Sequence, residues 1–175
     1  MDISDLKDLE KESLERGIPI IGSKKGKWLL DKIKELKPKI VLELGTANGY
    51  SGIILGSEKA EVITIEEDKK IAEEAKKNFD KFKIKAKVII GNANSLIKEI
   101  NGKFDLIYMD HNKKGYMEVL ESCLKRLNKK GVIIADNISF EGCKDFKKAV
   151  MINHPRLKTK IIDIEDGLSF SELIT

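Results

Sequence analysis

Short apolar runs alternate along most of the chain with segments whose apolar residues recur every three or four positions. The runs are Ile40-Val41-Leu42, Val62-Ile63-Thr64-Ile65, Val88-Ile89-Ile90, Leu106-Ile107-Tyr108-Met109 and Val132-Ile133-Ile134-Ala135. Runs this short and this continuous suit parallel strands covered on both faces. Residues 68–82 place Ile71, Ala75, Phe79 and Phe82 on one helical stripe, and residues 114–128 do the same with Tyr116, Leu120, Cys123, Leu124 and Leu127. Two further helices are predicted ahead of the first strand, at 3–16 and 23–37. Ser23 stands as N-cap of the second, and Trp28, Leu29, Ile33 and Leu36 pack it down. The end of the chain changes period. Residues 160–164 and 168–173 alternate apolar and polar around Glu165-Asp166-Gly167, the pattern of an antiparallel hairpin closing a sheet edge. Five β-α units and this hairpin predict an α/β fold. It is Rossmann-like and doubly wound, with a seven-stranded, mostly parallel sheet. Residues 1–37 form N-terminal helices and 38–175 the core of a single domain.

The first strand runs into Glu43-Leu44-Gly45-Thr46-Ala47-Asn48-Gly49-Tyr50-Ser51. Glycines just past a strand let the backbone turn sharply and approach a ligand, and the next helix aims its N-terminal N–H groups there. Glu66 ends the second strand, 21 residues beyond Gly45, where an acidic side chain suits ribose hydroxyls. Together these features point to an adenosine-containing cofactor. A dinucleotide site needs G-x-G-x-x-G; the spacing here is Gly45-x-x-x-Gly49-x-x-Gly52. Glu43 with this spacing, E-x-G-x-x-x-G, resembles the first motif of class I S-adenosylmethionine-dependent methyltransferases, with Glu43 facing the cofactor's amino group.

Asp110 follows the fourth strand, and Asp136 and Asn137 follow the fifth. Neighbouring parallel strands lie about 4.8 Å apart, so these three side chains converge. Three hard oxygen donors suit Mg²⁺ or another divalent cation rather than Zn²⁺. Asp110-His111-Asn112-Lys113-Lys114-Gly115-Tyr116 followed by Ala135-Asp136-Asn137 resembles the catechol and caffeoyl-CoA O-methyltransferase family. The resemblance implies that Asp110, Asp136 and Asn137 hold a divalent metal and that Lys113 is the general base. It also implies that Ile21, within Ile18-Pro19-Ile20-Ile21-Gly22, lines the cofactor pocket, and that Ala93 and Asn94 meet the adenine. Gly45, Gly49, Tyr50, Ser51, Glu66 and Asp110 complete the expected cofactor site. Asn112 stands where mammalian members carry an aromatic residue, and no counterpart of their later catechol-gripping acidic residue is evident.

Composition narrows the partners. There are 33 Lys and Arg against 29 Asp and Glu, a net charge of +4, and only Arg16, Arg126 and Arg156 are arginines. Arginine dominates bidentate phosphate and base recognition; lysines mixed with glutamates form a solvated surface. No basic–aromatic stacking cluster is visible. The acceptor is therefore expected to be a small catechol-like hydroxyl compound. The alternatives are a hydroxylated uridine of tRNA or a non-catalytic cofactor-binding module. Residues 1–22 and 138–145 are expected to face the acceptor. Asp163, Glu165 and Asp166 are expected to act as turn and edge charges. Cys123 and Cys143 match no metal or CxxC spacing. The N-terminus lacks a signal-peptide core and no run approaches the roughly 18 apolar residues of a membrane span, so a reduced, cytoplasmic protein is expected. A homodimer is expected by analogy alone.

Overall fold

A computed structural model describes residues 1–152 and 154–174. Seven strands form one sheet: β1 (Ile40–Leu44), β2 (Glu61–Glu66), β3 (Ala86–Ile90), β4 (Phe104–Met109), β5 (Leu127–Asp136), β6 (Leu157–Ile162) and β7 (Leu168–Leu173). Their order is β3-β2-β1-β4-β5-β7-β6. The first five are parallel, with Val41 paired to both Val62 and Leu106. Strand β7 runs antiparallel to β5 and β6, with Ile134 opposite Phe170 and Ile162 opposite Leu168. This is the sheet expected from the sequence, and the chain reverses its winding between β1 and β4. Strand β5 is longer than the run at 132–135, because Leu127 leaves the preceding helix and pairs with Phe104 across a register shift.

Period-two alternation sends successive strand residues to opposite faces. Val41, Val62, Tyr108 and Ile134 face one core, which they share with Leu29, Ile33, Ile53, Ile54 and Phe79. Leu42, Leu44, Ile107, Met109 and Ile133 face the other, with Tyr116, Leu120, Leu124 and Phe146. The helices are α1 (Lys7–Glu15), α2 (Gly22–Leu36), α3 (Tyr50–Gly56), α4 (Lys69–Lys81), α5 (Ala93–Leu96), α6 (Tyr116–Arg126) and α7 (Lys144–Met151). Asp68 caps α4, accepting from the N–H groups of Lys70 and Ile71 at 2.8 and 3.1 Å, a contact that satisfies two of the orphan donors of the first turn.

Helix α2 starts differently from expectation. Its N-cap is Ile21, and the Ser23 N–H donates to Glu10 Oε1 on α1 at 2.9 Å. A carboxylate from a neighbouring helix thus does the work expected of the Ser23 hydroxyl. Both cysteines are free and buried, and burial pushes the Cys123 thiol up to about 12. Among the described residues no helix is long and apolar enough to cross a membrane.

Candidate active site

The strand ends around the β1–β4 switch point open into one cavity of about 710 Å³, within the range of small-ligand sites. Its wall begins at Gly45, whose φ of +98° favours glycine. A Cβ there would sit 2.4 Å from the Asp110 carbonyl oxygen, so a side chain would wedge the β1 and β4 ends apart. The Gly45 N–H donates to Ile65 O at 3.0 Å and the Asp110 N–H to Leu44 O at 2.8 Å, which locks three strand ends together. Gly49, at φ +92°, precedes α3, and a Cβ on it would meet the Phe79 ring at 3.1 Å.

Thr46, Ala47, Tyr50, Ser51, Glu66, Ala93 and Asn94 line one part of the cavity, and Asp110, His111, Lys113, Asp136 and Asn137 the other. Pro19, Ile20, Asn112 and Phe140 also line it. Glu66 closes the glycine turn: its carboxylate accepts from the N–H groups of Ala47 and Asp68 at 2.8 and 2.9 Å. The Asn94 amide donates to Glu118 Oε2 at 2.7 Å.

Three residues expected at the cofactor lie behind the wall instead: Ile21, Glu43 and Gly49 are absent from the lining. Ile21 is packed into the core. Glu43 is fully buried, and its two oxygens accept from the hydroxyls of Ser51 and Thr64, each at 2.6 Å. Burial raises its pKa to about 8, against the pull of those two hydrogen bonds. At neutral pH Glu43 is therefore mainly a protonated, turn-bracing acid, whose own O–H then donates in one of those two bonds. Gly49 serves the turn rather than the cavity, with Phe79 against its Cα.

At the other end two carboxylates face one space. Burial raises Asp110 to about 6; the Lys113 ammonium opposes this and the charge of Asp136 adds to it. Asp136 is raised by burial and held back by Lys25. Lys113 Nζ donates to Asp110 Oδ1 at 2.5 Å and to the Tyr116 hydroxyl at 3.2 Å. Tyr116 lies within hydrogen-bonding distance of Met109 O and Asp136 O, at 2.8 and 3.1 Å, and so bridges the ends of β4 and β5. His111 stacks on Tyr116 with ring centroids 5.0 Å apart. Burial, then the charge of Lys113, lowers its pKa to about 4, so it is neutral at pH 7. Neither of its ring nitrogens has a protein partner among the described residues.

Two residues at this end were given no such role by the sequence. Lys25 is buried beneath Asp136, its ammonium on both Asp136 and Asp166. Asp166 lies in the turn between β6 and β7, as expected of a turn charge, but half-buried there it also takes up inward contacts, and its other oxygen accepts from Asn137 Nδ2 at 2.7 Å. The signal for Lys25 was present, since it lies four residues before Leu29 and eight before Ile33 on the buried stripe of α2. Asp166 carried no such signal, because an Asp-Gly turn accounts for it equally well. Among the described residues no group of three or more His, Cys, Asp or Glu side chains is suited to a metal; the trio here is two carboxylates and an amide.

The strand order, the glycine turn after β1 and the acidic end of β2 around one cavity define a Rossmann-like methyltransferase fold. The O-methyltransferase family model matches residues 3–172. The chain belongs to that family, the S-adenosylmethionine-dependent O-methyltransferases of the catechol and caffeoyl-CoA type. It is 34% identical over 160 residues to the catechol O-methyltransferase of Niastella koreensis, covering 80% of this chain and 72% of that one. It is 28% identical over 139 residues to the catechol O-methyltransferase of Sus scrofa, covering 72% and 74%. Its fold matches that of the Streptomyces achromogenes O-methyltransferase TomG, solved in complex with SAM, with a TM-score of 0.88 and 20% identity over 97% of this chain and 89% of that one.

Proposed function

We propose that the chain methylates a hydroxyl of a small, catechol-like aromatic, with Mg²⁺ or another divalent cation held by Asp110, Asp136 and Asn137. The observation that carries this reading is the single cavity running from the Gly45–Ala47 turn and Glu66 to Asp110, Lys113, Asp136 and Asn137. Cofactor and acceptor can meet in it without crossing a wall. Glu66 would meet ribose hydroxyls and Ala93–Asn94 the adenine, with Tyr50 and Ser51 at the turn. Pro19, Ile20 and Phe140, which also line the cavity, offer apolar surface to an aromatic ring.

The donor chemistry fits a hard cation. Burial raises the pKa of both Asp110 and Asp136, and the charge of Asp136 raises Asp110 further, which is the sign of buried carboxylates whose charges are incompletely compensated. A divalent cation held there would act as a Lewis acid that eases ionisation of the acceptor hydroxyl. S-adenosylmethionine supplies a methyl group on a cationic sulfur: the acceptor oxygen attacks, the O–C bond forms as the C–S bond breaks, and the sulfur leaves as a neutral thioether. Charge is lost in that step, so the chain contributes chiefly by placing the groups and excluding water. Lys113 lines the cavity, whereas Lys25 and Lys114 do not. Lys113 is therefore the base: once its ammonium has given a proton to solvent, the neutral amine takes the acceptor proton, with Asp110 and Tyr116 beside its Nζ.

The test offers methyl-labelled S-adenosylmethionine with a panel of vicinal dihydroxy aromatics and, separately, with tRNA that carries hydroxylated uridine. The reading expects label in a dihydroxy aromatic. Label in tRNA alone would move the acceptor to RNA, and tight cofactor binding with no label in either would favour a non-catalytic module.

A further inference from the structure

We propose that Lys25 and Asp166 are positioning residues that aim the free oxygens of Asp136 and Asn137 at the cation; this rests on the cation reading above. Neither residue lines the cavity. Lys25 stands in the first turn of α2 with its side chain 3% exposed. A cation buried that deeply is stable only when paired, and its ammonium meets Asp136 Oδ1 and Asp166 Oδ1. The backbone N–H of Asn137 donates to the same Asp136 Oδ1 at 2.7 Å. Both donors use one oxygen. The other, Oδ2, has no donor among the described residues and belongs to a side chain on the cavity wall.

Asp166 performs the matching task for the amide. It takes Lys25 on Oδ1 and accepts from Asn137 Nδ2 on Oδ2. A carboxylate accepts only from the nitrogen end of an amide, so this bond settles which way the amide faces. The Asn137 oxygen is left on the side away from Asp166. Asn137 itself has a φ of +55°, a conformation asparagine tolerates better than most residues. The brace therefore joins the first turn of α2, the end of β5 and the turn between β6 and β7. Their residues are 111 and 141 positions apart in the chain. Outer partners of this kind orient metal ligands, and losing one weakens metal affinity by about 10–100-fold.

The test measures Mn²⁺ affinity by calorimetry, with S-adenosylhomocysteine affinity measured on the same samples as the index of a folded site. Asp166→Ala should weaken Mn²⁺ by about 10–100-fold and leave S-adenosylhomocysteine within about twofold. Asp166→Asn removes the same charge but keeps an oxygen acceptor for Asn137, so it should fall between wild type and Asp166→Ala. Equal losses in the two variants would mean that charge alone acts and would overturn the positioning role. Lys25→Met deletes a positive charge, which by electrostatics alone would strengthen Mn²⁺ binding; positioning predicts weaker binding, and stronger binding overturns the role of Lys25. If Lys25→Met fails to fold, the Asp166 pair decides. Wild-type Mn²⁺ binding no better than that of Asp136→Asn, with S-adenosylhomocysteine still bound, would sink the cation reading and the brace together. Wild-type binding matched by all three brace variants would overturn the brace alone.

Discussion

Glu43 couples the glycine turn to protonation. Its pKa is about 8 in the folded chain against an ordinary value of 4.5. Between those limits the native state keeps a proton that the unfolded chain has lost, so stability falls as pH rises from 4.5 to 8. Glu43→Gln imitates the neutral acid at every pH. The difference in melting temperature between wild type and this variant should widen as pH rises through that window, and a constant difference would show that Glu43 is not the titrating group. At the opposite end of the cavity, Lys113→Ala should lower kcat by about 10²–10⁴-fold, the usual weight of a positioned base, with S-adenosylhomocysteine affinity nearly unchanged. Turnover close to wild type would remove Lys113 from the chemistry. Gly45→Ala would press a methyl group to 2.4 Å from the Asp110 carbonyl; both cofactor affinity and melting temperature should drop, whereas an unchanged cofactor affinity would mean that the strand ends can part without harm. Site positions were legible from the chain where spacing reports them, as with Asp110, Lys113, Asp136 and Asn137, which line one cavity. They were not legible where burial decides. Glu43 has the right spacing for a ligand contact, but Ser51 and Thr64 take both of its oxygens first.

At the scale of elements, α4 supports the turn it never enters. Phe79 is 2% exposed, and its ring would meet a Cβ on Gly52 at 2.7 Å and one on Gly49 at 3.1 Å. The two glycines make room for the ring, and the ring fills the space left by their missing side chains. Phe79→Ala should cost about 3–5 kcal/mol in urea denaturation and weaken cofactor binding as the turn loosens; a cost below about 1 kcal/mol would mean that the site collapses around the gap. Most elements followed from periodicity, and the stripe at 68–82 became α4 at Lys69–Lys81. Helix α7, Lys144–Met151, falls where the sequence was read partly as an acceptor-facing loop. Its buried face consists of Phe146 and Val150 alone, too short a stripe for the period to stand out. The start of α2 was misplaced because its first-turn N–H group finds a partner on α1, a tertiary contact that no local capping pattern records.

In the whole molecule, the strand order places the ends of β1, β2, β4 and β5 around one cavity, and the reversal at β1–β4 opens the crevice in which open α/β sheets bind ligands. Alternating parallel runs and a terminal hairpin made that topology readable in advance. The bracing of the acidic end was not readable, because Lys25 and Asp166 meet only once α2 and the β6–β7 turn are folded against β5. On the proposed reading this cavity joins methyl transfer to a divalent cation at Asp110, Asp136 and Asn137. The most direct measurement is transfer of labelled methyl from S-adenosylmethionine to a vicinal dihydroxy aromatic, before chelation, after it, and after Mg²⁺ is restored. Chelation should abolish the label, excess Mg²⁺ should return it, and Asp136→Asn should give none at the same Mg²⁺ concentration. Transfer of equal rate with and without chelator would rule the cation out of the reaction.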